Sequence, residues 1–135
     1  MDLEAPKLEF GRSFCYNKVY FSRIGNECVT LESFLEGRFQ KFINNTGDIC
    51  AHKDTELGLK AQAFVHYTYN KSDNHLVVLD IQGFGYTLCD PEIATTTHKD
   101  DEDNFYFCTG NLSTQANDTF LSGHSCNKYC NMLNL

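Results

Sequence analysis

Leu76-Val77-Val78-Leu79-Asp80-Ile81-Gln82-Gly83-Phe84-Gly85 is the stretch on which the fold turns. Residues 76–81 are a nearly continuous apolar run of strand length, and such a run reads as a strand buried on both faces. Gly83 and Gly85 break it. Upstream, residues 54–69 place Leu57, Ala61, Phe64 and Thr68 on one face of a helix. Downstream, residues 114–122 form a helix with Ala116, Phe120 and Leu121 inward. A few strands with helices packed on them make the expected fold class α+β.

Working outward, residues 8–24 alternate loosely and read as one or two strands. Thr30 reads as the N-cap of a helix carrying Leu31, Phe34, Leu35, Phe39, Phe42 and Ile43 at helical spacing, which Asn44-Asn45-Thr46-Gly47 stops in a turn. Residues 70–75 are a polar turn, and 86–104 are mostly loop, with Asp100-Asp101-Glu102-Asp103 as a solvated acidic run. Phe105-Tyr106-Phe107 reads as a short strand, and a Cys-rich tail spans 124–135.

The chain has 135 residues, 41% of them hydrophobic, which suits one domain with a real core. Its net charge of −7 excludes a basic surface for gripping nucleic acid. No stretch approaches a membrane span, and the first residues lack the basic and apolar regions of a signal peptide. The expected location is the cytoplasm. Cys15, Cys28, Cys50, Cys89 and Cys108 then read as reduced, mostly buried small hydrophobes. The N-x-S/T sequons at Asn44, Asn70, Asn111 and Asn117 read as chance matches, and His52, His75 and His98 as surface residues.

Three constellations carry chemistry. His124-Ser125-Cys126-Asn127-Lys128-Tyr129-Cys130 is an H-x-C-x-x-x-C cluster, whose two cysteines would face the same way on one helical turn. It offers three of the four donors of a structural zinc, and His66, on the apolar helix, is the best fourth. Alone, such a histidine is more often a satisfied core residue. Asp80 ends the apolar run beside a glycine turn and Asp90 follows; two carboxylates so placed can hold Mg²⁺, though a strand-end Asp and a turn Asp are the plainer reading. Thr109-Gly110-Asn111-Leu112-Ser113 is a small-residue loop opening a helix, matching no standard phosphate-binding motif.

Taken in order, these pieces resemble the catalytic domain of the alpha-kinases, atypical Ser/Thr protein kinases that include channel-kinases, myosin heavy chain kinase and elongation factor 2 kinase. Residues 35–47, Leu-Glu-Gly-Arg-Phe-Gln-Lys-Phe-Ile-Asn-Asn-Thr-Gly, are similar to the family's E-G-x-[FY]-x-K-[FY]-x-N-N-x-G segment. Ala63 to Tyr69 is similar to its A-F-x-H-[WF]-[TS]-Y helix, and Val78 to Gly85 to V-x-D-[LI]-Q-G-x-G. Thr87 to Ile93 resembles the T-D-P-x-I loop, Gly110-Asn111-Leu112 the core of G-x-x-N-L-G, and His124 to Cys130 the H-x-C-N-x-x-C ending.

The resemblance implies a Ser/Thr kinase using Mg-ATP, a protein substrate and a structural zinc held by His66, His124, Cys126 and Cys130. It implies that Asp80 orients the substrate hydroxyl and that Gln82 and Asp90 bind Mg²⁺-nucleotide. Lys41 and Asn45 would line the active-site edge, Glu32 would lie near the adenine hinge, and Gly110, Asn111, Leu112 and Ser113 would serve substrate recognition. The family's loop carries glycine at both ends, where this chain has Cys108 and Ser113. The family's phosphate-binding lysine lies on a strand well upstream; Lys7 and Lys18 are too close to residues 30–47 to match it. Residues 30–135 are therefore expected to be the C-terminal lobe and 8–29 remnant strands of an N-terminal lobe mostly missing, with 1–135 inactive alone. The alternative is a catalytically inactive, zinc-stapled pseudokinase or protein-binding module.

Overall fold

The computed structural model describes residues 7–50, 52–107 and 111–135; Cys108, Thr109 and Gly110 lie outside the described residues. The elements are α1 (Lys7–Phe10), β1 (Cys15–Tyr16), β2 (Val19–Ile24), β3 (Glu27–Glu32), β4 (Phe39–Ile43), α2 (Glu56–Lys71), β5 (Leu76–Leu79), β6 (Ile81–Phe84), β7 (Thr87–Leu88), β8 (Glu92–Thr95), α3 (Ser113–Gly123) and α4 (Lys128–Met132). No helix among them is long and apolar enough to cross a membrane.

The apolar run is two strands in two different sheets. β5 pairs antiparallel with β8, whereas β6 pairs antiparallel with β4 and β7, and β7 runs parallel to β1. The chain changes sheet at Asp80, whose φ of 51° lies in the left-handed region. Burial on both faces holds only beyond that point: Leu76 and Val78 are half-buried and Val77 and Leu79 buried, while Ile81, Gln82 and Gly83 are all buried. Gly83 is required, because at φ 154° an added Cβ would lie 2.1 Å from the Thr87 carbonyl oxygen.

Helix α2 organises the rest. Thr55 caps it, its hydroxyl accepting from the Gly58 N–H at 3.2 Å. Ala61 and Val65 join the main core with Phe42, Ile43, Leu79 and Phe120. Ala63 faces a second, smaller core built from Tyr129, Cys130 and Leu133. Helix α3 packs on β8 and α4 on α2.

The helix expected over 30–43 is instead the end of β3 and all of β4. Thr30 pairs with Phe21 in a hairpin. β4 carries a bulge between Lys41 and Ile43, so the adjacent Phe42 and Ile43 are both buried. That doublet imitates helical spacing, yet Phe34 is 89% exposed and shares no face with it. The expected loop 86–104 contains β7 and β8, and Phe105 makes only an isolated bridge to Lys99. Leu121 is exposed rather than inward. Cys15 and Cys28 are exposed and Cys50 and Cys89 half-buried, since the strands carrying the first two have uncovered faces; all four are free thiols.

Gly83→Ala should cost about 1–3 kcal/mol, the scale of overpacking, because the clash is with backbone. Denaturant midpoints measure it; a loss below about 0.5 kcal/mol, the level of a surface change, would contradict this account of the β6–β7 hairpin.

Candidate active site and metal centre

The chain leaves the β5–β8 sheet at Asp80 and returns to it through Asp90, whose φ of 49° is again left-handed. Aspartate is one of the few residues that tolerates this region. Both crossings therefore carry a carboxylate. The Gln82 side-chain amide donates to the Asp90 carbonyl at 3.2 Å, tying the second crossing to β6. Lys41 sits opposite Gln82 across the β4–β6 ladder, and its Nζ approaches Asp80 Oδ1 to 2.7 Å. That oxygen is buried and has no well-directed hydrogen bond, so the approach is a charge contact.

Glu92, the first residue of β8, is the member that sequence reading missed. Its carboxyl is pushed up by burial first, then by the charges of Asp80 and Asp90, with Lys41 opposing. Asp80, Asp90 and Glu92 thus feel one another as like charges, with Lys41 in contact with Asp80; such carboxylates are hard oxygen donors of the kind a divalent cation takes. Tyr16 was missed as well. Burial, then the charges of Cys89 and Asp80, hold its hydroxyl well above the usual value. Only the strand pairing, β1 beside β7, brings it there.

The other expected residues sit around this cluster. Glu32 accepts from Asn17 Nδ2 at 3.1 Å, while the Asn17 N–H donates to the Leu88 carbonyl at 2.7 Å. Glu32 thereby reaches the neighbourhood of Cys89, whose thiol is raised by burial first and then by Glu32 and Asp90. Asn45 is half-buried in the turn after β4, but its neighbour makes the bonds: Asn44 Oδ1 accepts from the N–H groups of Thr46 at 3.0 Å and Asp48 at 2.8 Å. Asn111 anchors its loop to β8, accepting from the Thr95 N–H at 3.1 Å and the Ser113 N–H at 2.8 Å. Leu112 is exposed and precedes α3 without a side-chain cap bond. Ser113 begins that helix at φ 50°.

The second constellation does assemble. Donor atoms of His66, His124, Cys126 and Cys130 all lie within 4.8 Å of one another. His124 Nε2 is 3.3 Å from His66 Nδ1, Cys126 Sγ is 3.6 Å from His66 Nδ1, and Cys130 Sγ is 3.6 Å from His124 Nε2. Around a tetrahedral zinc, metal–ligand bonds of about 2.0 and 2.3 Å put N–N edges near ~3.3 Å and N–S edges near ~3.6 Å. The donor set therefore fits such an ion. The two cysteines do not share a helical turn: the Asn127 side chain caps α4, accepting from Tyr129 N–H at 2.9 Å, so the helix starts after Cys126. Asn127 also donates to the Leu59 carbonyl at 3.0 Å, docking the tail on α2. Gln62 Oε1 lies 3.3 Å from His124 Nδ1 and Phe120 stacks on the same ring, so a second layer fixes its orientation. Burial first, then His66, pushes His124 down to about 4, leaving a neutral imidazole able to ligate.

A family model described as the alpha-kinase family matches residues 2–130. Human eukaryotic elongation factor 2 kinase is 35% identical over 113 residues, covering 84% of this chain and 14% of that protein. Mouse transient receptor potential cation channel subfamily M member 6 is 35% identical over 130 residues, covering 95% of this chain and 6% of that protein. The alpha-kinase domain of myosin heavy chain kinase A in complex with ADP superposes with a TM-score of 0.74 at 28% identity, over 90% of this chain and 48% of that one. An inactive form of the same domain with ATP gives 0.72, again at 28% identity, over 90% of this chain and 47% of that one. The chain thus spans about half of the solved domain and a small fraction of the curated relatives. It belongs to the alpha-kinase family.

Proposed function

We propose that this chain serves an ATP-dependent Ser/Thr protein kinase of alpha type as the C-terminal lobe of its catalytic domain, with the β2–β3 hairpin as the last strands of the N-terminal lobe. The observation that carries this reading is the grouping of Asp80, Gln82 and Asp90 at the sheet crossing, in a fold whose solved relatives hold ADP or ATP. Asp80 receives and orients the substrate hydroxyl through its carboxylate, whose Oδ1 is buried against Lys41. Lys41, in contact with that carboxylate at 2.7 Å, holds it in place. Gln82 and Asp90, with Glu92 behind them, form the face toward the nucleotide. Mg²⁺, when bound, supplies neutralisation of the phosphate charge. The loop at Asn111–Ser113, hung from β8, meets the protein substrate. The four-donor cluster holds zinc and staples α4 to α2. The proposed setting is the cytoplasm.

Residues 1–135 by themselves should be close to inert. Among the described residues the one ammonium in contact with Asp80, that of Lys41, is engaged by it, and the cluster is otherwise acidic. Acidic groups repel nucleotide until a cation intervenes, and positioning is the main device of phosphoryl transfer.

Two measurements test the reading. Purified chain should contain one equivalent of zinc, and stripping it with a chelator should unfold the tail, since structural zinc contributes about 10–16 kcal/mol in small zinc peptides. A folded sample lacking zinc would contradict it. Preceded by an alpha-kinase N-terminal lobe, residues 1–135 should phosphorylate a basic peptide, and Asp80→Asn should lower the rate at least about 100-fold, the scale of general-base loss. Activity within a few-fold of the parent would give the role to another residue; no activity in a folded, ATP-binding parent would favour the inert binding module.

A further inference from the structure

A cavity of about 290 Å³ lies among residues that include none of Asp80, Gln82 or Asp90. Four parts of the chain wall it: Phe14 and Tyr16 at β1, Phe64 on α2, Leu88 on β7 and Leu133 just beyond α4. Its size is at the lower end of small-molecule sites, roughly 300–1,000 Å³. The walls are mainly aromatic and aliphatic carbon.

One charged group lines it. Lys60 has a side chain only 1% exposed, and the mechanism above does not use it. Its Nζ meets Glu56 Oε1 at 2.7 Å and donates to the Arg12 carbonyl at 2.8 Å. The ring centroids of Phe10, Tyr86 and Tyr129 lie 5.3, 5.1 and 5.1 Å from it. The ammonium is therefore already neutralised by a carboxylate and caged by rings. An anionic occupant would have to compete with Glu56 for the ammonium, and a cationic one would be repelled by Lys60. Neutral occupants avoid both penalties. An aromatic one adds edge-to-face contacts with the wall rings and a further π-face near the ammonium. Among the other polar groups that line it are the half-buried Ser13 hydroxyl and the Cys15 thiol, neither with a hydrogen-bond partner among the described residues.

We propose that this cavity is a binding site for a small neutral planar aromatic molecule, a bicyclic ring bearing one N–H, seated against Phe14, Phe64 and Leu88 with the N–H donating to the Ser13 hydroxyl. The cavity shares Tyr16 with the neighbourhood of Asp80 but uses none of the residues given a role in the kinase reading.

Indole is the probe. Titrated into the full chain, it should produce saturable amide shifts at residues 13–16, 64 and 88, with a dissociation constant of about 1 mM or tighter. It should also slow alkylation of Cys15 by N-ethylmaleimide, leaving Cys28, exposed on the β2–β3 hairpin, as the unchanged internal control. Ser13→Trp should fill the mouth and abolish both effects. Should that variant fail to fold, Ser13→Ala decides: it should weaken binding at least about threefold by removing the acceptor. Shifts confined to the β2–β3 hairpin, equal slowing at both cysteines, parental binding in either variant, or binding that appears only once residues 1–6 are removed would each overturn the proposal.

Discussion

Two aspartates in left-handed backbone fix the point at which one sheet hands the chain to the other. β5 and β8 belong together, β6 and β7 belong elsewhere, and the chain must leave at residue 80 and come back at residue 90. Each crossing demands a positive φ. A β-branched residue held there would cost on the order of 1–3 kcal/mol, whereas Asp tolerates it. The residue type that the backbone accepts is also the one that the proposed chemistry needs. Lys41 and Glu92 then follow from register: Lys41 lies opposite Gln82, and Glu92 opposite Leu79, next to the crossing. The bulge in β4 completes the arrangement by burying Phe42 and Ile43 together beneath it.

Helix α2 connects this crossing to the His/Cys cluster. One side packs on β4 and β5, and another receives α4. His66 lies toward its C-terminal end and Lys60 in its first half, so donor cluster and aromatic cage are held by one rigid element. Tyr129 serves both, lying in the small core beside Cys130 and under the Lys60 ammonium. An ion at the cluster would bond α2, the turn at Cys126 and α4 together, adding stability where that small core alone is slight.

Much of this was legible in the sequence, and what was not has identifiable causes. α2 was plain because its apolar face is long and periodic, and α3 likewise, although Leu121 points outward. The His/Cys set could be read because its donors are chemically rare and three of them lie close in sequence. Residues 30–43 misled because a bulge places two neighbouring side chains on the same side, which breaks the strand period of two. β7 has only two residues and, besides its hairpin partner β6, leans on β1 far upstream, while β8 needs β5 from beyond the whole β6–β7 hairpin. Glu92 and Tyr16 carried no local signal; their approach to Asp80 is created by strand pairing alone.

The central claim is that the two sheet crossings face one cation-nucleotide site. Manganese is the direct probe, because its unpaired electrons broaden nearby amide signals. With ATP present and the His/Cys cluster loaded with zinc, substoichiometric Mn²⁺ should broaden the amides of Asp80, Ile81, Gln82, Asp90 and Glu92 first. It should leave α3 and the acidic loop at 100–103 sharp until much higher concentrations. Broadening that begins at Asp100–Asp103, or spreads evenly over the surface carboxylates, would contradict the account.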